Sequence, residues 1–346
     1  MKVLSIVGAR PQFVKLGPLS REIRKSFDEK IIHTGQHFDE NMSKLIFDDL
    51  NIPKPDYYCD IHGGKHGEQT GRMMVELEKI FLKEKSDFAI VFGDTNSTLA
   101  GSLVAAKLGI KSVHVEAGLR SFNRAMPEEI NRIVSDHTSD YLFAPTKTAI
   151  ENLGKEGLSD KAFLVGDIMM DSIEYAKRLI LAKNKNSVSK GFYLVTLHRP
   201  YNVDNPVKLR MILQKLGKLE HKIIFPMHPR TKNILVSNNI IVNSNIEIIE
   251  PVGYLDFIDL QLNSKKIITD SGGIQKEAYM LKVPCLTLRS ETEWVETIES
   301  GWNRLVDVNN SDFVKTVSNF QPPDKYFELF GKNVADAMVN KMLEII

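Results

Sequence analysis

The chain has 346 residues, 42% hydrophobic and 26% charged, with a formal net charge of +1. That length supports two domains with separate cores, and a near-neutral balance without any Lys/Arg block argues against nucleic acid as the main partner. No apolar run approaches the roughly 20 residues of a membrane helix, Met1-Lys2-Val3-Leu4 leads straight into a strand rather than a secretion signal, and the two cysteines, Cys59 and Cys285, form no framework, so a cytoplasmic protein without membrane insertion is expected.

Taken in order, Val3–Val7 reads as a buried strand, Gly8-Ala9-Arg10-Pro11-Gln12 as a loop, and Phe13–Ile23 as a helix. The alternation continues through strand Lys30–His33, a helix from about Met42, a long helix over Thr70–Leu82, strand Phe88–Phe92, helix Thr98–Leu108 and strand Ser112–Val115. Helix Pro127–His137, strand Tyr141–Ala144, helix Lys147–Leu153, strand Phe163–Gly166 and helix Met169–Ala182 follow. Such alternation implies a mostly parallel sheet covered on both faces. The polar run from Lys183 to Gly191 reads as a linker.

Beyond it come strand Phe192–Leu197, helix Val207–Leu219, strands Ile223–Pro226 and Ile246–Glu250, helix Leu255–Leu262, strand Lys266–Thr269, helix Ile274–Met280 and strand Cys285–Leu288. The expected fold is therefore α/β, two Rossmann-like doubly wound domains facing a central cleft, with ligands beyond the carboxyl ends of the strands. Residues 1–183 form the first domain in this reading and 184–325 the second, while Tyr326–Ile346 reads as a helix crossing back to the first.

The stretch Ile267-Ile268-Thr269-Asp270-Ser271-Gly272-Gly273-Ile274-Gln275-Lys276-Glu277 is a strand running into a helix. Ser271, Gly272 and Gly273 stand on the first helical turn, where free N–H groups and the positive end of the helix dipole favour an anion, and the two glycines have no Cβ to block its approach. Glu277 falls near the second turn, where a carboxylate accepts hydrogen bonds from a vicinal diol such as a ribose. Phosphate next to ribose points to a nucleotide.

Other polar residues cluster where strands end. In the first half these are Arg10 with Lys15, Asp94, Glu116, and Glu128 with Glu129; in the second, His198 with Arg199, His228 with Arg230, and Arg289 with Glu291 and Glu293. The first half is rich in carboxylates and the second in phosphate-binding groups, which suits a nucleotide held by one domain and acid/base chemistry supplied by the other. Asp94 also fits a helix cap, and one of Glu128 and Glu129 fits simple dipole complementation. His62 and His66 stand four apart, but Gly63-Gly64-Lys65 between them argues for a loop rather than a metal pair. No Asp-x-Asp pair appears, so no metal–diphosphate site is indicated, and Gly8-Ala9-Arg10-Pro11-Gln12 lacks the glycine fingerprint of a dinucleotide cofactor.

With Gly8-Ala9-Arg10-Pro11, Thr34-Gly35-Gln36-His37, Gly93-Asp94-Thr95, His114 through Arg120, Pro127 through Arg132, Phe143-Ala144-Pro145-Thr146, Thr196-Leu197-His198-Arg199 and Thr269 through Glu277 in this order, the chain resembles the non-hydrolysing UDP-N-acetylglucosamine 2-epimerases, which have a fold of glycosyltransferase-B type. The resemblance implies reversible inversion at C2 of UDP-GlcNAc to give UDP-ManNAc, by elimination of UDP to a glycal and its re-addition, without cofactor or metal, in a homodimer. It places Asp94, Glu116 and Glu128 at the acidic catalytic positions. His198 joins that catalytic set and, with Arg10, Ser271, Gly272 and Gly273, matches contacts to the diphosphate. Glu277 matches the ribose contact, and Lys15, Arg199 and Arg289 complete the substrate set.

Two departures bear on the substrate and on regulation. After Arg289 many family members read Thr-Glu-Arg-Pro-Glu, whereas this chain has Thr292-Glu293-Trp294-Val295-Glu296, similar to members acting on UDP-2,3-diacetamido uronic acids. Phe38, Asp39 and Glu68-Gln69-Thr70 replace parts of the basic and amide-rich set with which many bacterial members bind a second UDP-GlcNAc. An acidic Glu68 there disfavours a diphosphate, so strong allosteric activation is not expected; a sigmoidal rate curve linearised by a trace of UDP-GlcNAc would contradict this. A hydrolysing epimerase, a glycosyltransferase using a UDP-sugar donor, and a non-catalytic UDP-sugar sensor are the alternatives, the last having no use for Asp94, Glu116 and Glu128 together.

Overall fold

The computed structural model of the chain describes residues 1–36, 40–182 and 190–345, with the backbone alone at 40–44. His37, Phe38, Asp39, the expected domain boundary at 183/184 and most of the linker therefore lie outside the described residues. The chain divides into two compact units, Met1–Tyr175 with Glu328–Ile346, and Ala176–Phe327.

The first unit is built on β1 (Lys2–Val7), α1 (Arg10–Ile23), β2 (Asp28–His33), α2 (Glu40–Asp49), β3 (Tyr57–Tyr58), α3 (His66–Glu84) and β4 (Phe88–Phe92). It continues with α4 (Asn96–Leu108), β5 (Lys111–Val115), α5 (Pro127–Thr138), β6 (Tyr141–Ala144), α6 (Lys147–Lys155), β7 (Ala162–Leu164) and α7 (Met169–Ala182), whose last residues belong to the second unit. The seven strands are ordered β3-β2-β1-β4-β5-β6-β7 and every pair is parallel. Because helices cover both faces, the inner strands are apolar at successive positions: all of Phe88–Phe92 is buried. Leu4, Ile6, Ala89 and Val91 pack there against Met73, Leu77, Val104 and Ala105.

The second unit comprises β8 (Tyr193–Thr196), α8 (Pro200–Val203), α9 (Pro206–Leu216), β9 (Ile223–Pro226), α10 (Pro229–Ser237), β10 (Ile246–Ile249) and α11 (Tyr254–Asn263). Then follow β11 (Lys266–Thr269), α12 (Gly272–Met280), β12 (Cys285–Thr287), α13 (Val295–Glu299), β13 (Asn303–Leu305) and α14 (Phe313–Asn319). Its sheet runs β10-β9-β8-β11-β12-β13, again parallel. In both sheets the order reverses beside the first strand, between β1 and β4 and between β8 and β11. A crevice opens beyond the strand ends at such a reversal, because the flanking helices depart to opposite faces.

Three expectations are corrected. Helix α1 begins at Arg10 rather than Phe13, because Gln12 caps it: its Oε1 accepts from the Gly8 and Ala9 N–H groups at 2.7 and 3.0 Å. Helix α10 was not foreseen; Pro229 at its start and the His228 ring, which accepts from the Arg230 N–H at 3.2 Å, organise a stretch too polar to show periodicity. The tail is helical only over α15 (Val334–Glu344). Residues 326–333 are irregular instead, with left-handed φ at Gly331 and Asn333 and with the Phe327 carbonyl accepting from the Tyr279 hydroxyl at 2.7 Å. Val334, Met338 and Met342 form the buried stripe of α15, in the same unit as α1.

No helix of the described residues is long and apolar enough to cross a membrane. Burial pushes the Cys59 thiol up to about 11 and Cys285 to about 12, so both are held as unreactive thiols at neutral pH.

Candidate functional site

In the first unit the loops after β1, β4 and β5 bring Lys15, Asp94 and Glu116 to one end of the sheet. Lys15, on α1, reaches Glu116 Oε2 in a nearly dry ion pair, the two side chains being 7% and 9% exposed. Gly93 leaves the room: at its φ of +64° a Cβ would sit 3.2 Å from Glu116 Oε2 and 3.3 Å from Lys15 Nζ. Glu116 itself has φ +74°, a left-handed conformation that costs a non-glycine residue on the order of 1 kcal/mol and persists where surrounding structure enforces it.

That enforcement is visible. His114, at the end of β5, and Asp136, on α5, are both fully buried. The ring lies between Asp136 Oδ1 and the Gly93 carbonyl, each at 2.7 Å, so the Gly93-Asp94 turn is tied to α5. Asp136 Oδ2 accepts from the Gly118 N–H at 3.1 Å and pairs with Arg120 at 2.7 Å, which fixes the loop carrying Glu116. Burial works against the Asp136 charge, but His114 and Arg120 outweigh it and hold this carboxyl below the ordinary aspartate value.

Asp94 does not cap α4; Thr95 takes the N-cap position, and Asp94 Oδ2 instead accepts from Arg132 Nη2 at 2.7 Å and Nε at 3.1 Å. The two glutamates after Pro127 divide their roles. Glu129 is buried and accepts from the Ser121 N–H, the Ser121 hydroxyl, the Phe122 N–H and Arg132, all at 2.9 Å. Burial opposes its charge, yet these donors win and its carboxyl sits below the ordinary glutamate value. Glu128 is half-buried and takes no part in that network. Arg10, the first residue of α1, is also half-buried.

In the second unit the loop after β8 carries His198 and Arg199, and the loop after β11 carries Asp270 and Ser271. Asp270, fully buried, organises both: it accepts from the His198 N–H at 3.0 Å, the Arg199 N–H at 3.1 Å and Asn202 Nδ2 at 3.0 Å, and its Oδ1 lies 3.1 Å from His198 Nδ1. Burial raises its carboxyl, but the donors, His198 first, bring it below the ordinary value. The His198 ring is thereby oriented by Nδ1 with its Nε2 edge outward, the side chain being 52% exposed.

Ser271 is the N-cap of α12, its N–H held by Thr269 Oγ1 at 3.0 Å. A Cβ at Gly272 would collide with Glu293 Oε1, whose sister oxygen Oε2 lies 3.0 Å from Arg289 Nη1, while one at Gly273 would meet only Ser271 Oγ at 4.0 Å. Glu277, on the same helix, accepts from Gln261 Nε2 at 2.8 Å. The Thr292–Trp294 segment packs on α12 as well: Thr292 donates to Gln275 at 2.7 Å and Lys276 Nζ lies 4.4 Å from the Trp294 ring centre.

Among the expected residues the structure brings Lys15 to Glu116 in the first unit, and in the second it gathers the backbone of His198 and Arg199 around Asp270, beside the Ser271 cap of the helix that carries Glu277. Asp136, Arg132, Asp270 and Gln261 were not singled out by the sequence reading, because their partners lie far along the chain. His62 and His66 do not converge on a metal: His62 faces Asp60 at 3.2 Å and His66 faces Asn96 at 3.2 Å, and no group of three or more His, Cys, Asp or Glu able to hold an ion occurs among the described residues. Gln36 and Gln69 are engaged internally, with Ser97 and Asn96.

Two parallel-sheet units of this strand order define an α/β fold of the glycosyltransferase-B type; a lipopolysaccharide galactosyltransferase shares the fold alone, at a TM-score of 0.58 and 10% identity. The family model for UDP-N-acetylglucosamine 2-epimerase matches residues 21–343, and the chain belongs to that family. A UDP-N-acetylglucosamine 2-epimerase homolog of Methanococcus maripaludis is 50% identical over 99% of both chains. The UDP-2,3-diacetamido-2,3-dideoxy-D-glucuronate 2-epimerase of Pseudomonas aeruginosa is 48% identical over 88% of each. The crystal structure of Methanocaldococcus jannaschii UDP-GlcNAc 2-epimerase in complex with UDP-GlcNAc and UDP superposes with a TM-score of 0.91 at 46% identity, covering all of both chains.

Proposed function

We propose that this protein interconverts UDP-GlcNAc and UDP-ManNAc, as an isomerase without a redox cofactor. The reading is carried by the nearly dry Lys15–Glu116 pair, packed at Gly93 immediately before Asp94, an arrangement that a nucleotide-sugar sensor would not need. The C2 hydrogen has no neighbouring carbonyl to acidify it, so the C1–O bond breaks as the C2 proton leaves: UDP departs with the bonding pair, a base takes the proton, and a C1=C2 glycal remains. Return of UDP to C1 and of a proton to the other face of C2 gives the epimer, with no net oxidation. Glu116, Asp94 and Glu128 are the proposed acid/base groups. Arg10, His198, Arg199, Arg289 and the Ser271-Gly272-Gly273 turn stabilise the leaving diphosphate, Glu277 takes the ribose, and Lys15 supports the site by holding Glu116 in place. A cytoplasmic homodimer belongs to the same reading, supported by the family resemblance; sedimentation at the monomer mass would contradict the dimer.

Incubation with UDP-GlcNAc and chromatographic resolution of the two epimers tests the activity. The second substrate reading, a UDP-2,3-diacetamido uronate, is favoured by the Trp294 segment packed on α12 and by the Pseudomonas relative. It becomes the leading one if UDP-GlcNAc is untouched while the uronate is epimerised.

The Gly273→Ala variant separates binding from folding. Its Cβ has open space, and alanine favours a helix over glycine by up to about 1 kcal/mol, so the melting temperature is expected to hold or rise. The methyl group obstructs the approach to the helix N-terminus, and UDP affinity is expected to fall about tenfold or more. Unchanged affinity by calorimetry would remove the diphosphate from this turn.

A further inference from the structure

Glu277 is 9% exposed, and Gln261 Nε2 reaches it at 2.8 Å from α11, where Gln261 is fully buried. An ionised carboxylate at this depth needs donors, and a donor fixed by packing also decides which way the carboxylate plane faces. A leucine of similar size would fill the same space and leave Glu277 Oε2 without that amide. Two further polar atoms in this neighbourhood, Gln261 Oε1 and the Tyr254 hydroxyl, are buried and have no hydrogen-bond partner among the described residues. Burial and the charge of Glu277 push the Tyr254 phenol well above its ordinary value, so it remains a neutral hydroxyl.

We infer that Gln261 is a positioning residue that aims Glu277 at the nucleotide ribose and thereby sets discrimination between ribo- and deoxyribonucleotides; this rests on Glu277 as the ribose contact proposed above. Gln261 touches no ligand in this scheme. It acts by holding one carboxylate oxygen so that the group cannot turn away from the diol, and the energetic consequence is confined to ligands that carry the hydroxyl.

The test is calorimetric titration of the full-length protein with UDP, 2′-deoxy-UDP and 3′-deoxy-UDP, for the wild type, Q261L and Q261E. The wild type is expected to bind UDP about 10- to 100-fold more tightly than at least one deoxy analogue, since a site built to pair a hydroxyl leaves its own groups unpaired when the hydroxyl is missing. In Q261L the affinity for UDP falls by about tenfold and that for the deoxy analogue barely changes, so the preference collapses. In Q261E the preference is weak at pH 8 and recovers toward the wild-type ratio at pH 5.5, where the introduced carboxyl regains a proton to donate. A wild type without preference overturns the ribose role of Glu277 and the inference with it. A wild type that discriminates, beside a Q261L that discriminates equally, overturns the inference alone. If Q261L does not fold, the Q261E series decides: a ratio equal to wild type and independent of pH is the contradicting result.

Discussion

Replacing Glu116 by glutamine lowers kcat by about 10³-fold, within the 10²–10⁴ range of a single acid/base group, while the protein stays folded. The amide has nearly the shape of the carboxylate and can occupy the same left-handed backbone position at φ +74°, but it cannot take up the C2 proton. Lys15, 7% exposed, loses its anionic partner, so the variant is less stable by a few kcal/mol at most. The expected pattern is therefore a collapse in turnover with UDP affinity largely retained, since Glu116 is not among the groups proposed to hold the diphosphate. Steady-state rates together with UDP titration check it; a kcat within tenfold of wild type would remove Glu116 from the chemistry.

Asp136→Ala is expected to give the largest loss of stability, about 3–5 kcal/mol, the cost of stripping one partner from a buried charged network. His114 and Arg120, both buried, lose the carboxylate at 2.7 Å from each, and the Gly118 N–H loses its acceptor. Glu156, paired with the other side of the Arg120 guanidinium, compensates only in part. Because the network ties the Gly93-Asp94 turn to the Glu116 loop, activity falls as well, although Asp136 touches no substrate. The folded-state value of this carboxyl is depressed, so its contribution is present above the ordinary aspartate range and is lost as pH drops through the lower folded value. The gap in denaturation midpoint between wild type and variant should be widest near neutrality and close only in strong acid. A gap below about 1 kcal/mol at pH 7, the size of a single ordinary hydrogen bond, would show that the network is dispensable.

What was legible in the sequence were local features. Phe88–Phe92 announces a buried strand by its apolar run, and Gly93-Asp94-Thr95 the turn behind it; Ser271-Gly272-Gly273 is readable as a helix start because glycine and serine have few other uses there. The pairings that give these residues their settings were not legible. Asp136 follows His114 by 22 positions and Asp270 follows His198 by 72, and no periodicity links residues brought together by parallel strands and crossover helices. Which glutamate after Pro127 is structural was likewise a question of donors, answered when Ser121 and Arg132 turn out to face Glu129. The tail was misread because Phe327 and Phe330 have helical spacing with the apolar residues of α15. Tertiary contacts with Tyr279 and Trp302 hold the preceding segment out of the helix, the Lys325 carbonyl accepting from the Trp302 indole at 3.2 Å.

Elimination and re-addition of UDP under acid/base control by Asp94, Glu116 and Glu128 is tested most directly by proton NMR of the protein with UDP-GlcNAc in D₂O. UDP-ManNAc is expected to appear with deuterium at C2, with the same label washing into the UDP-GlcNAc pool and no free ManNAc accumulating. Epimer formed with the C2 proton retained would contradict proton loss from C2, and build-up of free ManNAc would make the protein a hydrolysing enzyme instead.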